Sequence, residues 1–220
     1  MKWFSNFDLT DHDVRKKMKR RVFMGRLMAF TAGGITLGAC FRSGDTVQSP
    51  GENKITENRV LPRALVFNML DQKVDQAMQV SYNCAQSSFL ALEEQFGLHG
   101  DQVLKALTPL PGIAERGETC GALLGPLMIF GLIYGRERER LGDWDRYRES
   151  LVPAGRFCRL FEKEYGSTMC KEIQSGLFGR SFDLTHPEDL RQFQEADATI
   201  RCSAVVRKAV RIAAGIILDE

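Results

Sequence analysis

The amino-acid sequence predicts an all-α protein: a single compact helical bundle of about six to seven helices, set behind a signal peptide and a tether. Three observations predict it. Beyond residue 62, apolar residues recur at helical spacing almost throughout. No stretch shows sustained strand alternation. Capping residues, prolines and glycines punctuate the chain at intervals suited to helices. The expected domains are a signal peptide over 1–39, a flexible tether over 40–61 and a helical domain over 62–220. The last is long enough for one core.

The leader comes first. A basic block holds Arg15, Lys16, Lys17, Lys19, Arg20 and Arg21, and a short apolar stretch follows from Val22 to Ala39. A charged start, an apolar middle and small residues at the end make a signal-peptide layout. Arg26 and several glycines make that stretch a poor bilayer span. Arg20-Arg21-Val22-Phe23-Met24 looks like a twin-arginine export signal, and Leu37-Gly38-Ala39-Cys40 looks like a lipobox with Cys40 as the lipidated residue. Lipidation there tethers a protein to a membrane surface without spanning it. Residues 41 to 60 are polar, with Gly44, Pro50 and Gly51, and read as the tether.

Pro62 opens the first helix of the domain, with an apolar stripe through Leu65, Val66, Met69, Leu70, Val74 and Met78. A second helix runs from about Asn83 to Phe96 and stops at Gly97. Glu93 and Glu94, at its end, are expected to face solvent. Asp101 caps a short third helix closed by Pro109 and Pro111. The segment from Thr119 to Tyr134 is nearly all apolar and belongs at the centre of the bundle. Asp143 caps a long helix from Trp144 to Tyr165, which Pro153 is expected to kink or split. Ser167 caps a short helix from Thr168 to Gln174, and residues 176 to 186 form a loop. Pro187 starts another helix, and Ile200 to Leu218 forms the last.

The formal net charge of the chain is +2. The leader carries that positive excess, so the chain without it is mildly acidic, and the charge is no argument for nucleic-acid binding.

Thiols are the obvious reactive groups. Cys84 lies in Asn83-Cys84-Ala85-Gln86. Cys120 opens Cys120-Gly121-Ala122-Leu123-Leu124-Gly125, Cys170 lies in Ser167-Thr168-Met169-Cys170, and Cys202 is near the C-terminus. The first three fall in predicted first turns behind Asn83, Thr119 and Ser167, all good caps. A helix N-terminus stabilises a thiolate and lowers its pKa. Gly121 and Gly125 share a helix face around Ala122 and admit either another backbone or a bulky inorganic centre. Gly117 makes a tight entry to Cys120.

This arrangement resembles a family of redox-active proteins named for its pattern: Cys, then Cys-Gly-Ala-x-x-Gly, then Cys, then Cys. The resemblance covers roughly residues 62 to 215. It implies that Cys84, Cys120, Cys170 and Cys202 form one redox site, as metal or cofactor ligands or as redox-active thiols, with Gly121 and Gly125 beside it. Cys158 matches none of the four positions and reads as structural. His99 and His186 lie in turn-like segments and read as surface residues, and His12 is in the leader.

Several chemistries lack their signatures. The sequence has no Cys-x-x-Cys pair for thioredoxin-like exchange or a zinc ribbon, no Cys-x-x-Cys-His for covalent haem, and no phosphate-binding glycine loop for a nucleotide. Three expectations remain. The four thiolates hold an iron–sulfur cluster for electron transfer, whose ligands need not be close in sequence. Alternatively, they form one or two disulfides without metal. Or the chain is a lipoprotein binding module with structural cysteines. Whether the chain is an enzyme stays open, with an oxidoreductase component and an electron carrier as the forms considered. The expected location is the outer face of a bacterial cytoplasmic membrane. The expected partners are that surface, a redox protein or a transporter component, with a homodimer open.

Overall fold

The computed structural model describes residues 50–220, and Arg20, Arg21, Cys40 and the whole 1–39 leader lie outside them. The described chain is all-α, as the sequence predicts. Among the described residues, no helix is long and apolar enough to cross a membrane.

Ten helices are present among the described residues. They are α1 (Pro50–Val60), α2 (Arg63–Ser81), α3 (Cys84–Phe96), α4 (Asp101–Ala106), α5 (Gly112–Glu115), α6 (Gly121–Tyr134), α7 (Trp144–Tyr165), α8 (Cys170–Phe178), α9 (Pro187–Glu195) and α10 (Ala198–Asp219). The pattern did not anticipate α1 or the one-turn α5.

Helix α1 corrects the tether reading for residues 50–60. Its composition is polar, but Ile55 is buried. Asn58 is 2 % exposed and fully engaged: it donates to Lys54 O at 2.7 Å and to Gln95 O at 3.0 Å, and accepts from Gln95 Nε2 at 2.6 Å. A buried amide with every bond made is tolerated in a core. Composition alone cannot show that.

Helices α3 and α6 form the centre, with α2, α7 and α10 packed around them. Their close approach rests on Gly125. A Cβ there would lie 2.6 Å from Ala85 O and 2.7 Å from Phe89 N, both α3 backbone atoms. Phe89, Phe96, Phe130, Phe157 and Phe161 are wholly buried in the resulting core.

Local signals set most boundaries. Asn83 caps α3, Asp143 caps α7 through the Arg146 N–H at 2.9 Å, and Gly97 ends α3 with φ 62°. Three expectations change. Pro153 sits inside an unbroken α7, buried against the core. The loop expected from residue 176 begins later, because α8 continues to Phe178 and ends on Gly179 at φ 76°. Glu93 is buried, where its carboxylate accepts the Gly100 N–H at 2.5 Å, and burial raises its pKa. Glu94 is the outward one, paired with Lys73.

Candidate functional site

The cysteines reach the site from four elements. Asn83 fixes the first. Its Oδ1 accepts from Ala85 N at 3.1 Å and Gln86 N at 3.0 Å, and its Nδ2 donates to Thr108 O at 3.0 Å. That places Cys84 at the first position of α3.

Cys120 and Cys170 are fixed together by a feature absent from the sequence reading. Thr119 and Met169 form an isolated antiparallel bridge. Around it, Cys120 N–H donates to Thr168 O at 2.9 Å, Cys170 N–H to Glu118 O at 2.6 Å and Lys171 N–H to Gly117 O at 3.0 Å. The short ladder sets two helix entrances side by side. It also changes the caps. Cys120 is itself the cap residue of α6, and Met169, not Ser167, caps α8. Ser167 Oγ instead accepts from Met169 N and donates to Glu172. Cys202 lies in the second turn of α10.

All four cysteines line one cavity of about 320 Å³, together with Gly112, Ala122, Ile173, Gln174 and Val205 among others. Each is a free thiol. Among the described residues, no three His, Cys, Asp or Glu side chains gather tightly enough to hold a single metal ion. The sulfurs therefore line a volume rather than converge on a point.

Electrostatics make the four unequal. Cys84 is held below the usual thiol range, first by a hydrogen bond from the Cys120 thiol, and then by backbone N–H groups including Gly121 and Ala122, against burial. Cys120, as the donor in that pair, is pushed well up, and burial adds to the rise. Of the pair, Cys84 is therefore the readier to lose its proton. Cys170 is raised to about 12 by burial, with the Cys84 charge adding. Burial likewise raises Cys202, and the charges of Cys84 and Cys170 add to it. The expectation that helix starts lower three thiols therefore holds for Cys84 only. At Cys120 the hydrogen bond to Cys84 and then burial outweigh the Ala122 N–H, and at Cys170 burial dominates.

The glycines serve the thiols differently from the expected cofactor role. A Cβ at Gly121 would lie 2.5 Å from Cys84 Sγ and 2.9 Å from Ala85 N. The space it leaves is filled by Cys84, and that left by Gly125 is filled by α3. Gly112 and Gly117 matter through their backbone. Gly112 (φ 53°) lies over Cys170, where a Cβ would be 3.5 Å from Sγ. Gly117 (φ 75°) lies against Lys171. Between them Ile113, Ala114 and Glu115 hold φ of 48°, 57° and 63°, a left-handed turn roofing the cavity. Such a conformation costs about 1–2 kcal/mol per L-residue. Strain of this kind clusters at functional sites.

Other candidates lie elsewhere. Cys158 is on α7, half-buried, raised by burial and not in the cavity wall. His99 is exposed and outside the cavity, and His186 precedes α9, 3.0 Å from an Asp183 carboxylate oxygen.

The family described as "putative redox-active protein (C_GCAxxG_C_C)" matches residues 82–216. The chain belongs to this family. The C_GCAxxG_C_C match spans all four cavity cysteines, begins two residues before Cys84 and leaves α1 and α2 outside. Redox chemistry is therefore the level at which membership places the function. No curated protein matches the chain, and no solved structure does.

Proposed function

We propose that Cys84, Cys120, Cys170 and Cys202 bind an iron–sulfur cluster and that the protein carries electrons to or from a redox partner. The observation carrying this reading is that four free thiols from four elements line one cavity. The donor set fits such a group. A cluster takes thiolates at its edges, so sulfurs lining a volume suit it better than a lone ion, which needs every sulfur about 2.3 Å away. Backbone N–H groups at Cys84 and the Gln174 amide at Cys170 supply hydrogen bonds to sulfur. When bound, the group supplies one-electron transfer. The chain positions the sulfurs, excludes water and sets the local charge. Protons must leave the buried Cys120, Cys170 and Cys202 on loading, and metal binding drives that loss.

The same reading places the protein outside the cytoplasmic membrane, exported through Arg20-Arg21 and tethered by lipid on Cys40. Export of folded cargo suits a centre assembled beforehand. The direct test is iron and acid-labile sulfide in protein produced without oxygen.

A second reading has its own observation: Cys84 and Cys120 are neighbouring thiols, and each is the largest influence on the other's proton affinity. A Cys84 thiolate beside the Cys120 thiol would be the start of a dithiol couple. Closing the disulfide would release one proton from Cys120 and two electrons to an acceptor, a partner's disulfide being one, which takes up two protons as it becomes two thiols. Mass analysis after alkylation, with and without reductant, separates this from the cluster.

A further inference from the structure

Gln174 lies four residues after Cys170 on α8, so the two share a helix face. It is 3 % exposed, and a buried carboxamide needs partners at both ends. The Phe182 N–H can only donate, and it donates to Gln174 Oε1 at 2.9 Å. That fixes which end of the amide is oxygen. The nitrogen end is thereby turned to Cys170, with Nε2 3.5 Å from Sγ. Flipping the amide would set two donors against each other at Phe182.

The far end of this arrangement is held firmly. Phe182 is buried, with its ring centroid 5.6 Å from Phe178 and 5.4 Å from Phe193. Arg180 ties the same loop to α9 through Asp189 and Gln192, each at 2.8 Å. The amide is thus braced from behind by backbone and aromatic packing.

We infer that Gln174 is a positioning residue that holds a hydrogen-bond donor on the Cys170 sulfur, with its orientation locked by the Phe182 backbone. The inference rests on the reading of the four cysteines as one redox site. A donor at sulfur withdraws electron density and favours the more negative, reduced state, one of the levers on the potential of sulfur-ligated centres. It singles out Cys170. Cys84 takes its donors from the backbone and from Cys120, whereas Cys170 takes one from a side chain that mutation can change alone.

Two variants test it in the full chain. Gln174→Glu keeps an oxygen for the Phe182 N–H but replaces the donor at sulfur with a carboxylate. Gln174→Met removes both bonds at similar length. In metal-free protein at mildly alkaline pH, iodoacetamide labelling of Cys170 is read by peptide mass. Loss of one hydrogen bond should slow labelling about five-fold in Gln174→Met, and Gln174→Glu should be slowed at least as much. In cluster-loaded protein both variants should shift the midpoint potential downward. A purely structural role predicts wild-type behaviour for Gln174→Glu, since its bond to Phe182 survives. Wild-type labelling of Cys170 in Gln174→Glu overturns the inference, and if that variant does not fold, wild-type labelling in Gln174→Met does so. Failure of the cluster reading looks different: no iron is bound, while the labelling effect persists.

Discussion

Gly125→Ala should be among the most damaging one-carbon changes in this chain, while Gly131→Ala, on the same helix, should stabilise it. The added Cβ at Gly125 meets Ala85 O at 2.6 Å and Phe89 N at 2.7 Å, besides the Ser88 hydroxyl. Ser88 can rotate away, but the two backbone atoms cannot. Helices α3 and α6 must part by roughly 1 Å to regain an ordinary contact near 3.5 Å. Overpacking of this kind costs about 1–3 kcal/mol, and more where backbone must move. A Cβ at Gly131 meets nothing within 4 Å, so that variant collects only the helix propensity of alanine, about 1 kcal/mol. The pair should therefore straddle wild type, separated by about 3 kcal/mol in urea denaturation at unchanged m-value. Parting α3 from α6 also draws Cys84 away from the Gly121 and Ala122 N–H groups, so Gly125→Ala should lose cofactor where Gly131→Ala does not. Equal stabilities for the two variants would refute the reasoning.

Other outcomes follow from the same geometry. Cys158→Ser should keep wild-type metal content, because Cys158 is outside the cavity wall, whereas serine at Cys84, Cys120, Cys170 or Cys202 should abolish loading; metal analysis of the five variants decides. The metal-free protein should lose stability above pH 9. Cys170 titrates near 9 when unfolded but at about 12 when folded. Its stabilisation is thus whole below pH 9 and drains at about 1.4 kcal/mol per pH unit toward 12. Cys170→Ser should make that part of a denaturation-versus-pH curve shallower, with Cys120 and Cys202, which are raised as well, supplying the remaining slope. At the leader, changing Arg20 and Arg21 to lysine should strand the protein in the cytoplasm, and Cys40→Ala should move it to the soluble fraction. Unchanged fractionation in both would remove the export reading.

The sequence made most helices legible because their ends carry local chemistry. Asn83 and Asp143 cap where expected, and Gly97 stops α3. The gathering of the cysteines was legible only through the spacing pattern, since nothing local reports that α10 brings Cys202 to α3. What stayed hidden depends on tertiary partners. Asn58 looks like tether until Gln95 satisfies it. Glu93 looks solvated until the Gly100 N–H meets it. The Thr119–Met169 bridge joins residues 50 positions apart and engages the Cys120, Cys170 and Lys171 N–H groups at the two helix entrances. Gln174 carried a weak signal, its place four residues after Cys170 on a predicted helix. The left-handed turn at Ile113–Glu115 carried none beyond Gly112 and Gly117 on either side.

The central claim is that the four cysteines jointly hold a cluster, and the most direct measurement is iron and acid-labile sulfide per chain in protein purified without oxygen, alongside its absorption spectrum. The account predicts iron and sulfide in near-equal amounts and visible sulfur-to-iron absorption, with both lost together when any one of Cys84, Cys120, Cys170 and Cys202 is replaced by alanine. Protein free of iron and sulfide, with Cys84 and Cys120 recovered as a disulfide or all four thiols freely alkylated, would contradict it.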